Sequence, residues 1–201
     1  YEESIKYYKM AIEKGNLNAM NNYAHMLYKG QGVPINYEES IKYFKMAIER
    51  GDSGAMNNYA YMLENGKGVP INYEEAIKYF KMAIERGDSD AMNSYALMLE
   101  NGKGVPINYE EAIKYYKMAI EEGNSNAMNN YAYILEKGEG VAVNYGEAIK
   151  YYKMAIEKEN GASMFHYAEM LHEGKGVELN IGEAIHFYEL AIEHGEMRAK
   201  V

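Results

Sequence analysis

The residues best suited to chemistry in this sequence are histidines and carboxylates near its C-terminal end. His166, Glu169 and Glu173 are spaced three and four residues apart, so on a helix they share one face and could bind a metal ion. The H-E-x-x-H spacing of a helical zinc site does not occur. We therefore interpret the group as a divergent recognition surface, and we expect no metal and no other cofactor.

A second candidate is the octet NGKGVPIN, which stands at 65–72 and again at 101–108. Glycine-rich loops can cradle phosphate, but this one lacks the Lys-Ser/Thr ending of a P-loop, and Pro70 removes a backbone donor. We interpret the octet as a joint, in which Gly66 ends one helix and Asn72 begins the next. Val69 and Ile71 are then expected to pack onto the core.

No arrangement of nucleophile and base stands out. Cysteine is absent, which excludes disulfides, thiolate zinc sites and a cysteine nucleophile. Serines such as Ser53 and Ser89 follow helix caps, and most carboxylates have a nearby lysine or lie in the first turn of a helix. The sequence therefore predicts a protein that is not an enzyme.

Composition limits the partners further. The net charge is −9 and the pI is near 5.2, so nucleic acid is not expected as a partner. No apolar run approaches the roughly 20 residues of a membrane span. The lack of cysteine, of a secretory segment and of an N-glycosylation sequon favours a cytoplasmic setting.

These residues are positioned by a repeat of 36 residues, seen in Tyr37, Tyr73, Tyr109 and Tyr145. Each copy predicts two helices. The first covers roughly 53–65 after an N-cap at Asp52, and the second covers roughly 73–86 after an N-cap at Asn72, with Glu75 placed for a capping box. A glycine closes most second helices. Glu159 replaces it once, which predicts an irregular joint after Lys158.

Each predicted helix has one apolar face. The second helix buries positions such as Ile77, Phe80 and Ile84. Methionines at 46, 82 and 118 could form a soft binding surface, but their helical spacing favours packing, and the tyrosines at 43, 79, 115 and 151 are expected to pack with their hydroxyls towards water. The first helix carries a polar stripe centred on one position that changes between copies while its neighbours repeat. We call this the variable position; its occupants are His25, Tyr61, Leu97, Tyr133 and Glu169.

The unit Ala55–Gly87 resembles a Sel-1-like repeat, a relative of the tetratricopeptide repeat. The matching residues are Ala55, Tyr59, Ala60, Gly66, Gly68, Val69 and Gly87. The resemblance implies an all-α, right-handed superhelix (a solenoid) of helix-loop-helix repeats. In this frame the repeats are 16–51, 52–87, 88–123, 124–159 and 160–195, with an orphan second helix at 1–15 and the start of a further helix at 196–201.

Proteins of this kind act as adaptors, so the resemblance implies a protein or peptide partner bound on the concave surface that first helices line. The predicted binding residues are Asn22, His25, Asn58, Tyr61, Ser94, Leu97, Asn130, Tyr133, His166 and Glu169. Asparagines beside the variable position could form a ladder that grips a peptide backbone. They could equally tie neighbouring helices together or be solvated.

A second hypothesis is structural. The array lacks polar capping units, and its first helix is expected to expose Ile5, Tyr8 and Ile12. Because uncapped repeats present apolar ends, the chain could associate with itself end to end.

Overall fold

The computed structural model describes residues 2–196, and within that range it is all-α, with eleven helices and no strand. The helices are α1 Glu2–Glu13, α2 Leu17–Lys29, α3 Tyr37–Ile48, α4 Ser53–Asn65, α5 Tyr73–Ile84, α6 Ser89–Asn101, α7 Tyr109–Glu121, α8 Ser125–Lys137, α9 Tyr145–Ile156, α10 Gly161–Glu173 and α11 Ile181–Glu193. The predicted fold class is confirmed. Residues 197–201, where a further helix was predicted, lie outside the described range.

The even-numbered helices begin and end as the sequence predicts. In α4 the side chain of Asp52 accepts a hydrogen bond from the Ala55 N–H at 2.7 Å, and Gly66 follows the helix in the left-handed conformation at φ 64°. A short acceptor at the N-cap satisfies a donor that the first turn leaves unpaired, and glycine adopts positive φ without the strain of a β-carbon.

The odd-numbered helices depart from a standard capping box. Asn72 accepts from the Glu75 N–H at 3.1 Å, as predicted. The Glu75 carboxylate accepts from the side-chain amide of Asn72 instead of its backbone N–H, because that N–H donates to the Leu63 carbonyl. Helix α5 also ends at Ile84 rather than at Arg86, since the final hydrogen bonds tighten to a three-residue spacing.

The joint after Lys158 is regular, so the prediction of an irregular joint is wrong. Glu159 adopts φ 61°, and its N–H bonds the Ile156 carbonyl at 2.8 Å, as glycine does at Gly87 with Ile84. The local backbone hydrogen bonds at the end of α9 therefore hold a non-glycine residue in the left-handed region, at a cost of about 1–2 kcal/mol.

The second glycine of each loop has a role beyond a tight turn. A β-carbon on Gly68 would overlap the β-carbon of Tyr37, and a β-carbon on Gly140 would overlap that of Tyr109. Each loop thus packs its bare backbone against the start of the preceding second helix. This close approach explains why glycine stands at both positions.

Backbone contacts divide the chain into two compact units. Unit 1 takes in the residues up to Met98 and Gly102–Pro106, and unit 2 takes in Leu99–Asn101 and the residues from Ile107 onward. In unit 1, α2 packs on α3 and α4 on α5; in unit 2, α8 packs on α9 and α10 on α11. Fully buried aromatic side chains are Phe44 and Phe80 in unit 1 and Tyr116 and Tyr152 in unit 2.

The tyrosines and methionines of the second helices pack as expected. Tyr79 meets Tyr59 edge to face with ring centroids 5.1 Å apart, and Tyr151 meets Tyr131 in the same way at 5.0 Å. The methionines at 46, 82 and 118 are half-buried.

Two expectations about apolar residues are wrong. Ile71 is 58% exposed, because it lies over the outer side of Gly66, and only Val69 is partly buried. On α1, Ile5, Tyr8 and Ile12 are half-buried because α1 packs against α2. Tyr7 and Met10 are instead exposed on that helix. Across residues 2–196, none of the helices combines the length and the apolar character needed to cross a membrane.

Candidate protein-binding grooves

The polar stripe of the first helices forms a groove in unit 1, which we call groove 1. It lies between α2 and α4 and has a volume of about 190 Å³. Its lining residues are His25, Tyr28, Lys29, Phe44, Asn57, Asn58 and Tyr61. Two occupants of the variable position, His25 and Tyr61, therefore face the same groove.

Aromatic rings and a lysine dominate groove 1. Tyr28 lies edge to face with Tyr61 at 6.4 Å, and the Lys29 ammonium lies 5.2 Å from the centre of the Tyr28 ring. Burial, together with the charge of Lys29, lowers the pKa of His25. Tyr61 is 45% exposed, so it can contact a partner directly.

Unit 2 carries a counterpart, which we call groove 2, between α8 and α10. It has a volume of about 530 Å³ and is lined by Asn129, Asn130, Tyr133, Lys137, Phe165, His166 and Glu169. Tyr133 and Glu169 occupy the variable position, as His25 and Tyr61 do in groove 1. Lys137 likewise stands at the repeat position of Lys29.

His166 organises groove 2. Its Nδ1 atom lies 3.1 Å from Oε2 of Glu169, and its ring stacks on Tyr152 with centroids 5.6 Å apart. Tyr133 and Phe165 lie against the same imidazole at 5.3 and 5.5 Å. The side chain of His166 is 9% exposed, so it supports the groove more than it presents itself to solvent.

A buried carboxylate lies beside groove 2. Glu136 accepts a hydrogen bond from the Tyr152 hydroxyl at 3.0 Å and another from the Lys137 ammonium at 2.6 Å. The hydrogen bond to Glu136 raises the pKa of Lys137, and burial raises the pKa of Tyr152. The two donors compensate the desolvation of the carboxylate.

A tyrosine hydroxyl and a glutamate carboxylate are paired in the same way one repeat earlier in unit 2. The Tyr116 hydroxyl donates to Glu100 at 2.6 Å, and burial raises the pKa of Glu100 despite that bond. In unit 1 the equivalents of the two tyrosines are Phe44 and Phe80, and Glu64 pairs with Lys103 at 2.8 Å.

Several asparagines form hydrogen bonds within their own unit. Asn58 donates to Asn21 at 3.0 Å, while Asn129 donates to Asn130 at 3.2 Å and accepts from Ser163 at 3.0 Å. The bonds from Asn58 to Asn21 and from Ser163 to Asn129 join neighbouring first helices, which favours the interpretation in which the amides tie helices together. Asn22 is exposed, and the peptide ladder stays a prediction for it.

Seven of the ten predicted binding residues line the grooves; Asn22, Ser94 and Leu97 line neither. The prediction did not include Tyr28, Lys29, Lys137 and Phe165. A signal for three of them was present, because the positions three and four residues after the variable position also change between copies. Phe165 replaces an asparagine found in the other copies.

The histidine and carboxylate face at the end of the chain does not assemble as a metal site. Of the two glutamates, Glu173 forms an ion pair with Lys175, and Glu169 lies beside His166. No cluster of three or more histidine, cysteine or acidic side chains suited to a metal ion is found between residues 2 and 196.

Comparison with known proteins agrees with this architecture. A Sel1 crystal structure from Oxalobacter formigenes is 30% identical over 92% of this chain and 75% of its own, with a TM-score of 0.81. A protective antigen of uropathogenic Escherichia coli with an SLR fold is 26% identical, with a TM-score of 0.75, over 96% of this chain but 42% of its own. An immunity protein from Pseudomonas aeruginosa is 18% identical over 94% of this chain and 73% of its own, with a TM-score of 0.70, and shows the fold alone.

No curated protein matches the sequence. The family model of the Sel1 repeat matches six consecutive segments, at 1–16, 17–52, 53–88, 89–124, 125–160 and 161–196. These segments cover nearly the whole chain and repeat the 36-residue period, and the chain therefore belongs to the Sel1 repeat family.

Proposed function

We propose that this protein is a non-enzymatic scaffold that binds partner proteins or peptides through grooves 1 and 2. Sel1-repeat proteins are generally protein-interaction scaffolds. The observation that carries the proposal is the location of the variable position. Four of its five occupants line a groove, at equivalent places in units whose other residues repeat almost unchanged.

The lining of the grooves suits a protein partner. Tyrosine gives a large contact area and a polar end at a small cost in conformational entropy, and it is enriched among residues that dominate binding energy. Tyr61 and Tyr133 supply such side chains. Because both lie on helices held by caps and buried alanines, little reorganisation is needed on binding. The net charge of −9 argues against nucleic acid as the partner.

The double variant Tyr61→Ala, Tyr133→Ala tests this proposal. Peptides selected from a random display library on the natural chain should lose most of their affinity for the double variant. The matched control is Tyr7→Ala, because Tyr7 is 61% exposed on α1 and lies outside both grooves. Unchanged binding by the double variant, or equal loss in the control, would count against binding at the grooves.

A second candidate function is self-association, favoured by exposed apolar residues on α11. Ile181, Ile185 and Ile192 are 45%, 53% and 40% exposed. Light scattering over a range of concentrations measures the outcome directly. A mass that grows with concentration and returns to the monomer value in Ile185→Glu supports assembly, whereas a monomer at all concentrations contradicts it.

A further inference from the structure

We propose that groove 2 binds the guanidinium group of an arginine side chain presented by the partner protein. This inference rests on the proposed function, since it names the chemistry that one of the two grooves recognises. Three observations support it: the carboxylate of Glu169, the aromatic rings around that carboxylate, and the difference in charge between the two grooves.

The carboxylate of Glu169 is the first element. One of its oxygens is 3.1 Å from Nδ1 of His166, and the side chain is 42% exposed. A carboxylate has about four lone-pair sites, so this one can accept further hydrogen bonds from a bound donor. The contact with His166 fixes its position, which reduces the entropy lost when a ligand pairs with it.

The aromatic walls are the second element. Tyr133 and Phe165 flank the buried imidazole, and the Lys137 ammonium already lies 5.1 Å from the centre of the Tyr133 ring. An aromatic face attracts cations through its quadrupole, and this ring already has one ammonium beside it. Phe165 is half-buried and offers a second ring to the groove.

The charge balance decides the sign of the ligand. Two carboxylates, Glu136 and Glu169, stand against one ammonium, that of Lys137, at this groove, so its acidic groups outnumber its lysine. The whole chain carries −9, so a cationic group also gains from the long-range field. An anionic side chain would face Glu136 and Glu169 together.

Arginine suits this groove better than lysine. Its planar guanidinium can stack on a ring and donate two parallel hydrogen bonds to one carboxylate, whereas an ammonium is a compact and strongly hydrated point charge. The groove volume of about 530 Å³ is large enough for a long side chain and part of its backbone.

Groove 1 provides an internal control. At the positions of Glu136 and Glu169 it has Tyr28 and Tyr61, while the lysine is retained as Lys29. No carboxylate belongs to its lining, whereas Lys29 does, so the lining of groove 1 is basic rather than acidic. We therefore expect groove 1 to show no preference for arginine.

The test uses the peptide Ac-Gly-Arg-Gly-NH2 and its citrulline counterpart, which has nearly the same shape without the charge. Titration of the full chain, followed by backbone amide NMR shifts, should move the signals of Tyr133 and Glu169 with the arginine peptide. Citrulline, or the near-isosteric variant Glu169→Gln, should weaken binding about tenfold or more, because a charged hydrogen-bonded pair is lost. Tyr7→Ala, on α1 and outside both grooves, should leave this binding unchanged.

Equal affinity for arginine and citrulline peptides, equal affinity of Glu169→Gln with an unchanged melting temperature, or absence of shifts at groove 2 would each overturn the inference. A random peptide library separates this failure from failure of the proposed function. Selected peptides that bind groove 2 without an arginine would overturn the arginine site alone. If no selected peptide binds either groove, both proposals fail.

Discussion

Grooves 1 and 2 occupy the same place in the repeat and are built on the same helical frame. In each groove, two neighbouring first helices each contribute one occupant of the variable position. The earlier of the two helices also contributes a lysine near its end, Lys29 in groove 1 and Lys137 in groove 2. They differ at the variable position, which holds His25 and Tyr61 in groove 1 but Tyr133 and Glu169 in groove 2. The lining of groove 1 carries no carboxylate, whereas groove 2 has one at its mouth and a second beside it.

The core beneath the grooves differs along with their lining. Phe44 lines the floor of groove 1, and the equivalent Tyr152 stacks under His166 and holds Glu136 in groove 2. A change of surface chemistry thus comes with a change in the buried layer that supports it. The repeat therefore fixes the backbone, while a few positions in two layers set the chemistry of each groove.

The largest expected effect is on the free energy of unfolding, and it tests whether the helical frames of units 1 and 2 are equivalent. Gly68→Ala in unit 1 and Gly140→Ala in unit 2 each force a β-carbon into a tyrosine of the preceding second helix, at positive φ. We expect each to lower the free energy of unfolding by about 3 kcal/mol, from backbone strain plus overpacking. Urea denaturation followed by circular dichroism measures the loss.

Gly87→Ala is the control for this pair. Gly87 has φ 79°, but a β-carbon there meets no described atom within 4 Å. It should cost only the strain of positive φ, about 1–2 kcal/mol. A loss as large as that of Gly68→Ala would show that the close approach to Tyr37 contributes nothing.

The next effect concerns the buried layer. Tyr152→Phe removes a hydrogen bond to the buried Glu136, and we expect a loss of about 1.5–3 kcal/mol, as for other hydrogen bonds to charged groups. Combining it with Glu136→Leu should recover part of the loss, because the buried acceptor is removed with its donor, and Lys137, whose side chain is 38% exposed, can be solvated instead. The free energy of unfolding of the single and double variants gives the coupling between the two residues.

The reciprocal change in unit 1 tests whether a buried tyrosine hydroxyl needs the glutamate partner. Phe44→Tyr buries a new hydroxyl where Tyr28, not a glutamate, stands at the partner position, and it should cost about 1–3 kcal/mol. Adding Tyr28→Glu should reduce that cost. If Phe44→Tyr alone does not change the free energy of unfolding, the buried layers of the two grooves are interchangeable, and they do not account for the difference between the grooves.

Much of this architecture is predictable because local rules determine it. The bounds of α4 follow from an acceptor at Asp52 and a glycine at Gly66, and both features are legible in the sequence. The repeat places such signals in register every 36 residues. Helix positions and the first-helix stripe could therefore be predicted before any contact was known.

The features that could not be predicted depend on contacts between repeats or between layers. Ile71 was expected in the core, but it lies over Gly66 because the loop turns its outer side to water. The bond from Tyr152 to Glu136 joins residues sixteen positions apart, and no local pattern announces it. Residues such as Phe165 belong to a groove only once two first helices lie side by side.

A smaller effect is expected at the joint after Lys158, where Glu159 stands in place of the usual glycine. Glu159 holds the left-handed conformation that glycine holds at equivalent joints, with the same hydrogen bonds. Glu159→Gly should relieve about 1 kcal/mol of strain and raise the melting temperature by a few degrees. Glu157→Gly, at an exposed C-cap position with negative φ, is the control and should not stabilise the chain. A destabilised Glu159→Gly would mean that the glutamate side chain contributes more than its strain costs.

The smallest effect is the pH dependence that His25 gives to groove 1. Burial and then the charge of Lys29 lower the pKa of His25, so the folded chain holds this proton less tightly than the unfolded chain, where the value is near 6.5. The contribution of His25 to stability is therefore fully present above that pH and is lost as pH falls through the folded pKa. His25→Gln should reduce the drop in melting temperature between pH 7.5 and pH 5. Lys29→Met should reduce it less, because burial is the larger cause and remains. If the drop is the same in all three proteins, His25 does not couple groove 1 to pH, and the electrostatic contrast between the grooves rests on Glu136 and Glu169 alone.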